Sequence, residues 1–151
     1  MARVKRALGS WLVIFTMLFL VCGYWVSTVW PPVGHWYELR SLRIDDAKVG
    51  QPITMHVDRT IHEPFYGTFA VVVRKQKPDG WMVVCNGTGG GDYRSDAVLP
   101  VPLTLDWWSN RACPTIDEPG DYAVTTTIAM VSPIGLRRIV KHDSNIFRVT
   151  E

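Results

Sequence analysis

Cysteine, histidine and nucleophile motifs are all sparse in this chain, and the gaps exclude several chemistries. Three cysteines stand at 22, 85 and 113, with no CxxC pair and no Cys/His grouping at zinc spacing. The histidines, His35, His56, His62 and His142, are scattered. His56 and Asp58 share one face of a strand, but neither a third ligand nor the groups that would orient such ligands can be identified. No serine sits in a Gly-x-Ser-x-Gly elbow. The run Asn86-Gly87-Thr88-Gly89-Gly90-Gly91-Asp92-Tyr93 lacks the Lys-Ser/Thr that follows the glycines of a phosphate loop, and no helical pattern comes after it. It reads as a mobile loop between strands, and Asn86-Gly87-Thr88 is also a glycosylation sequon. The formal charge of +2 falls to −1 once Arg3, Lys5 and Arg6 are set aside, so no basic face exists for nucleic acid. These gaps leave no catalytic residue, no metal and no cofactor in view, and the chain reads as a non-enzyme.

Charge is also absent from one long stretch, and there the absence is informative. Residues 8–30, LGSWLVIFTMLFLVCGYWVSTVW, contain no Asp, Glu, Lys, Arg or His. As a helix rising about 1.5 Å per residue, they are long enough to cross a hydrocarbon core of roughly 30 Å. Cations precede the stretch at Arg3, Lys5 and Arg6, and none follows until Arg40. The positive-inside bias then puts residues 1–7 in the cytoplasm and the C-terminal part outside, periplasmic or extracellular. Trp11 near one end and Tyr24, Trp25 and Trp30 near the other suit the headgroup regions, and Pro31-Pro32 stops the helix. Residues 31–36 form a short linker. A cleaved signal peptide is the alternative, with Val21-Cys22-Gly23 as the cleavage site, but the apolar run continues beyond it. A lipoprotein reading of Cys22 is weakened by the bulk of Val21. Gly9, Thr16 and Gly23, spaced by seven with Ser27 four further on, share one helix face on which a second membrane helix could pack. The competing view is that small residues are common in membrane helices.

Residues 37–151 suffice for one domain with its own core. Their hydrophobic period is two almost throughout: Tyr37–Ile44; Ile53, Met55 and Val57; Phe69, Val71 and Val73. Lys77-Pro78-Asp79-Gly80 is a turn joining Phe69–Lys75 to Trp81–Asn86 as a hairpin. Leu99, Val101, Leu103, Leu105 and Trp107 alternate with Pro100 and Pro102, which predicts an edge strand. Tyr122–Met130, Leu136–Lys141 (after the turn Ser132-Pro133-Ile134-Gly135) and the terminal Ile146, Phe147 and Val149 complete about seven strands. Several short strands with turns between them predict an all-β body, a β-sandwich, preceded by one transmembrane helix. Cys85 and Cys113 are left as a pair outside the cytoplasm, where disulfides persist. Closing that loop contributes roughly 3–4 kcal/mol in the chain-entropy model. Two free buried thiols are the alternative.

Glu118-Pro119-Gly120-Asp121-Tyr122-Ala123-Val124 resembles the tyrosine corner of immunoglobulin-like domains. The resemblance implies that the Tyr122 hydroxyl bonds upstream backbone just after Gly120. It also puts the position of the family's strand F cysteine at Val124, with Met55 and Val57 as strand B candidates, so the inter-sheet bridge of antibody domains is missing. Phe69 stands roughly where that family's core Trp would be. The domain is thus similar to the wider immunoglobulin-like and fibronectin-like group. The whole chain also resembles small single-pass membrane proteins of bacteria and their phages, a likeness that implies no activity.

Neighbours on a strand point to opposite faces, so if Trp107 joins the core, Trp108 points outward beside an edge. Trp108, with Tyr93 and the glycine run nearby, is then a contact anchor; otherwise it caps the sandwich end. The expected partners are the lipid bilayer and another protein. The chain reads as a membrane-anchored binding or scaffolding module, and the alternative is a structural subunit of an envelope assembly recruited through its helix. Sugar binding by the exposed rings is not separable from protein binding at this level.

Overall fold

The computed structural model describes the backbone of residues 2–29, 31–131 and 137–151, and the side chains of 11–26, 31–131 and 137–151. The chain falls into two compact units, Met1–Pro32 and Val33–Glu151. The first holds a single helix, α1 (Ala2–Val29), which starts earlier than the uncharged stretch because Arg and Lys are good helix formers. Every side chain from 11 to 26 is exposed. Among the described residues, no helix is long and apolar enough to cross a membrane, so the span expected over 8–30 is not found there. Thr16 donates its hydroxyl to the carbonyl of Leu12 at 2.8 Å, and a Cβ at Gly23 would meet open space. Gly9 and Ser27 lie outside the described side chains.

The second unit is built almost wholly of strands: β1 (Tyr37–Ile44), β2 (Ala47–Lys48), β3 (Thr54–Ile61), β4 (Phe65–Lys77), β5 (Gly80–Tyr93), β6 (Leu103–Thr104), β7 (Gly120–Val131), β8 (Arg137–Asp143) and β9 (Phe147–Thr150). They form two sheets. One has the order β1-β3-β6; the other runs β2-β9-β7-β4-β5, with β8 also on β7. Period two explains the inward set, including Tyr37 and Leu39, then Leu42 and Ile44. The switch from odd to even positions comes from a bulge between Leu39 and Ser41, which inserts one residue and turns the strand over. β4 is central, paired with β5 on one side and β7 on the other, and its Val71 and Val73 are fully buried. The side chain of Asn145 ties the sheets together by accepting from the N–H of Ile44 at 2.8 Å and donating to its carbonyl at 2.9 Å.

Two expectations are corrected. The edge strand predicted over 99–107 shrinks to Leu103–Thr104, because Pro100 and Pro102 offer no donors to a ladder. The chain then enters a single helical turn, α2 (Leu105–Trp108), capped by the Thr104 hydroxyl, which accepts from the N–H of Trp107. The glycine run 86–91 is not a loop but the second half of β5, paired with β4 from Gly67↔Gly91 to Val72↔Asn86. The turn expected at Ser132–Gly135 lies outside the described residues.

Candidate functional site

A helical turn carries residues three apart on one face. Leu105 and Trp108 therefore point inward and are buried, while Trp107 stands outward and is 51% exposed. This reverses the expected orientation of the two tryptophans. Trp108, 7% exposed, donates its indole N–H to the hydroxyl of Thr126 on β7 at 2.9 Å. The segment after α2 folds tightly back on β5. Ser109 is fully buried; its hydroxyl donates to the carbonyl of Asp106 at 3.2 Å and accepts from the N–H of Cys113 at 3.0 Å. Asn110 donates its side-chain amide to the carbonyl of Thr88 at 3.2 Å. The Cys85–Cys113 disulfide is formed, so β5 and this segment are covalently joined.

The glycines of β5 make that approach feasible. A Cβ at Gly87 would lie 1.9 Å from the carbonyl oxygen of Ser109, and one at Gly89 would lie 2.6 Å from the ring of Phe69. Only glycine leaves the space.

Between α2, the end of β5 and the inner face of β7 opens a cleft of about 770 Å³. That volume suits a small ligand. Trp107 and Trp108, ring centroids 6.4 Å apart, line the cleft together with Tyr93. Arg59 of β3 reaches into the cleft with its guanidinium 5.9 Å from the rings of both Tyr93 and Trp108. Among the described residues, it makes no ion pair. Asp106, partly buried in the same lining, likewise makes no ion pair among the described residues. Tyr93 stacks on Phe65 at 4.7 Å and meets Tyr37 edge-on at 6.3 Å. Burial raises the pKa of the Tyr93 and Tyr37 phenols, and Arg59 partly offsets the shift at both. Among the described residues, the buried Tyr37 hydroxyl has no hydrogen-bond partner.

Trp108 and Tyr93, the residues singled out as a contact surface, thus both line the cleft, although Trp108 does so from a buried position. Tyr122 donates its hydroxyl to the carbonyl of Glu118 at 2.7 Å, and Gly120 between them has φ +148°, where a Cβ would lie 2.8 Å from Lys75 Cε. This corner stands apart from the cleft lining. His56 does not gather with Asp58; it pairs with Asp45 at 2.7 Å. Among the described residues, no three of His, Cys, Asp and Glu stand together as a metal site. Arg59, Asp106 and the exposed Trp107 went unrecognised in the sequence. The one available signal was a cation, Arg59, on a strand face otherwise alternating into the core. Compared with family models and with curated proteins, the chain matches none.

Proposed function

We propose that this chain is a binding module tethered to a membrane, with an immunoglobulin-like β-sandwich carrying the ligand cleft outside the cytoplasm. Strand order supports the immunoglobulin-like part. β1, β3 and β6 correspond to strands A, B and E, and β5, β4, β7 and the β8/β9 pair to C′, C, F and G. The Tyr122 hydroxyl bond to Glu118 fits the corner of that fold. Met55 and Val124, candidates for the positions where antibody domains carry their bridge, are both buried, which fits that fold. The tether rests on the uncharged stretch 8–30 and on the exposed apolar side chains of 11–26, which call for apolar surroundings. A disulfide in the body agrees with an oxidising compartment.

The observation that carries the binding reading is Arg59, a partly buried cation with no ion pair among the described residues, in the lining of a cleft that also holds aromatic rings. A charge so placed finds its counter-ion in a ligand. The full chain in detergent, titrated with small anions while its tryptophan emission is followed, should respond, and Arg59→Ala should not. Absence of any response in the unmodified protein would defeat the binding reading. Recovery of the full chain in the soluble fraction after cell rupture would defeat the tether. The small residues Gly9, Thr16 and Gly23, spaced by seven, support a second reading, a subunit recruited through its helix; Thr16→Leu with Gly23→Leu would then abolish association in membranes while leaving the cleft's response intact.

A further inference from the structure

The cleft lining holds both signs of charge. Arg59 and Arg111 face it from one side of the balance, Asp92 and Asp106 from the other. A doubly charged phosphate would gain from the arginines and lose comparably to the acids. A ligand with a single carboxylate and many hydroxyls suits the lining better. Hydroxyls both donate and accept, so they satisfy Asp106 as acceptor and the arginines as donors. Trp107 adds a flat, half-exposed ring at the rim, which suits stacking against the C–H face of a sugar. The guanidinium of Arg59 and the ring of Trp107 are no more than about 12 Å apart, the spacings through Trp108 laid end to end. One or two linked sugar rings fit within that limit.

We infer that the cleft binds a carboxylate-bearing saccharide, the carboxylate on Arg59, one ring on Trp107 and hydroxyls on Asp106. This deepens the binding-module reading and rests on it. Trp108, bonded to Thr126, fixes the floor, and the disulfide-linked segment holds Trp107 at the rim.

The test uses the full chain in detergent micelles and four probes: a disaccharide of one neutral hexose linked to one galacturonic acid, the same disaccharide with its carboxyl reduced to an alcohol, an Asp-Gly-Asp peptide, and inorganic phosphate. Calorimetry and tryptophan emission read binding. The acidic disaccharide should bind at least tenfold tighter than its reduced counterpart, and the peptide and phosphate should bind more weakly still. Arg59→Lys, which keeps the charge but loses the two-pronged contact, should weaken the acidic disaccharide about tenfold and leave the reduced one unchanged. Trp107→Ala, at an exposed site that does not threaten folding, should weaken both disaccharides alike. Equal affinity for the acidic and reduced sugars would overturn the assignment of Arg59. Binding of the peptide or phosphate in preference to either sugar, still lost with Arg59→Lys, would overturn the saccharide while leaving the binding module standing. No binding of any probe would overturn the inference, and an intact response to other anions would show that the broader reading survives it.

Discussion

Trp108 and Thr126 are joined by a buried hydrogen bond of 2.9 Å from the indole N–H to the hydroxyl, so one side chain belongs to the core and to the cleft wall at once. Its chain neighbour Trp107 is half exposed, ring centroids 6.4 Å away. One helical turn divides adjacent tryptophans between stability and accessibility.

That division predicts a wide gap between two similar mutants. Trp108→Ala removes a large buried ring and should cost about 3–5 kcal/mol. Trp108→Phe keeps most of the bulk but strands the Thr126 hydroxyl, at a cost of about 1–3 kcal/mol. Trp107→Ala should stay within about 0.5 kcal/mol of the unmodified protein. Urea unfolding followed by far-UV circular dichroism reads all three. Comparable losses for both alanine mutants would contradict the burial argument.

The glycines of β5 separate by what their missing Cβ would touch. Gly87→Ala drives a methyl into the backbone of Ser109, which the disulfide prevents from retreating, and should destabilise by about 1–3 kcal/mol. Gly91→Ala meets nothing within 4 Å and should be neutral or slightly stabilising, since it reduces the freedom of the unfolded chain. Denaturant midpoints for the two variants check the order. Equal effects would mean that glycine serves the strand only by flexibility.

Most of the body was legible from alternation: β1, β3, the β4–β5 hairpin and β7 follow their apolar positions. What was hidden has physical causes. A four-residue helix is too short to show a 3.6-residue period, so Leu103–Trp107 continued to look like a strand. Glycines at 87, 89, 90 and 91 carry no side chain to mark a face, and a paired strand there looked like a loop. Cys85 and Cys113 could be matched because few cysteines were present. Arg59 could not be found as a cleft residue, because its significance lies in its having no ion-pair partner among the described residues, which no spacing along the chain encodes.

Stability should depend on pH through Lys75 and Glu118, whose Nζ and Oε2 lie 2.7 Å apart. The hydrogen bond from Lys75 holds the Glu118 carboxyl below its ordinary 4.5, and the same bond raises the Lys75 ammonium above its ordinary 10.5. For Glu118 the contribution is present above 4.5 and lost as pH falls through the depressed folded value. For Lys75 it is complete below 10.5 and lost as pH rises through the elevated folded value. Glu118→Gln should therefore flatten both limbs of a midpoint-against-pH profile. Asp121, lowered by its bond from Arg148, titrates in both proteins, so the difference between the profiles isolates Glu118 with its two lysines, Lys75 and, at 4.0 Å, Lys77. Identical profiles would show that solvent screens the contact completely.

The disulfide closes a sequence separation of 28 residues, and its removal tests the body and the thiol inventory together. Replacing both Cys85 and Cys113 with Ala leaves no buried polar group and should cost roughly 3–4 kcal/mol. Releasing the constraint also lets the unfolded chain expose more surface, so the slope of stability against denaturant should steepen as the midpoint falls. A folded-state effect alone would move the midpoint and leave the slope unchanged. Maleimide labelling supplies an independent count. Cys22 is free, so one thiol should react after unfolding without reductant, and three should react once reductant is added. Three reactive thiols after unfolding without reductant would mean that the bridge is absent, and the loss of stability in the alanine variant would then belong to packing.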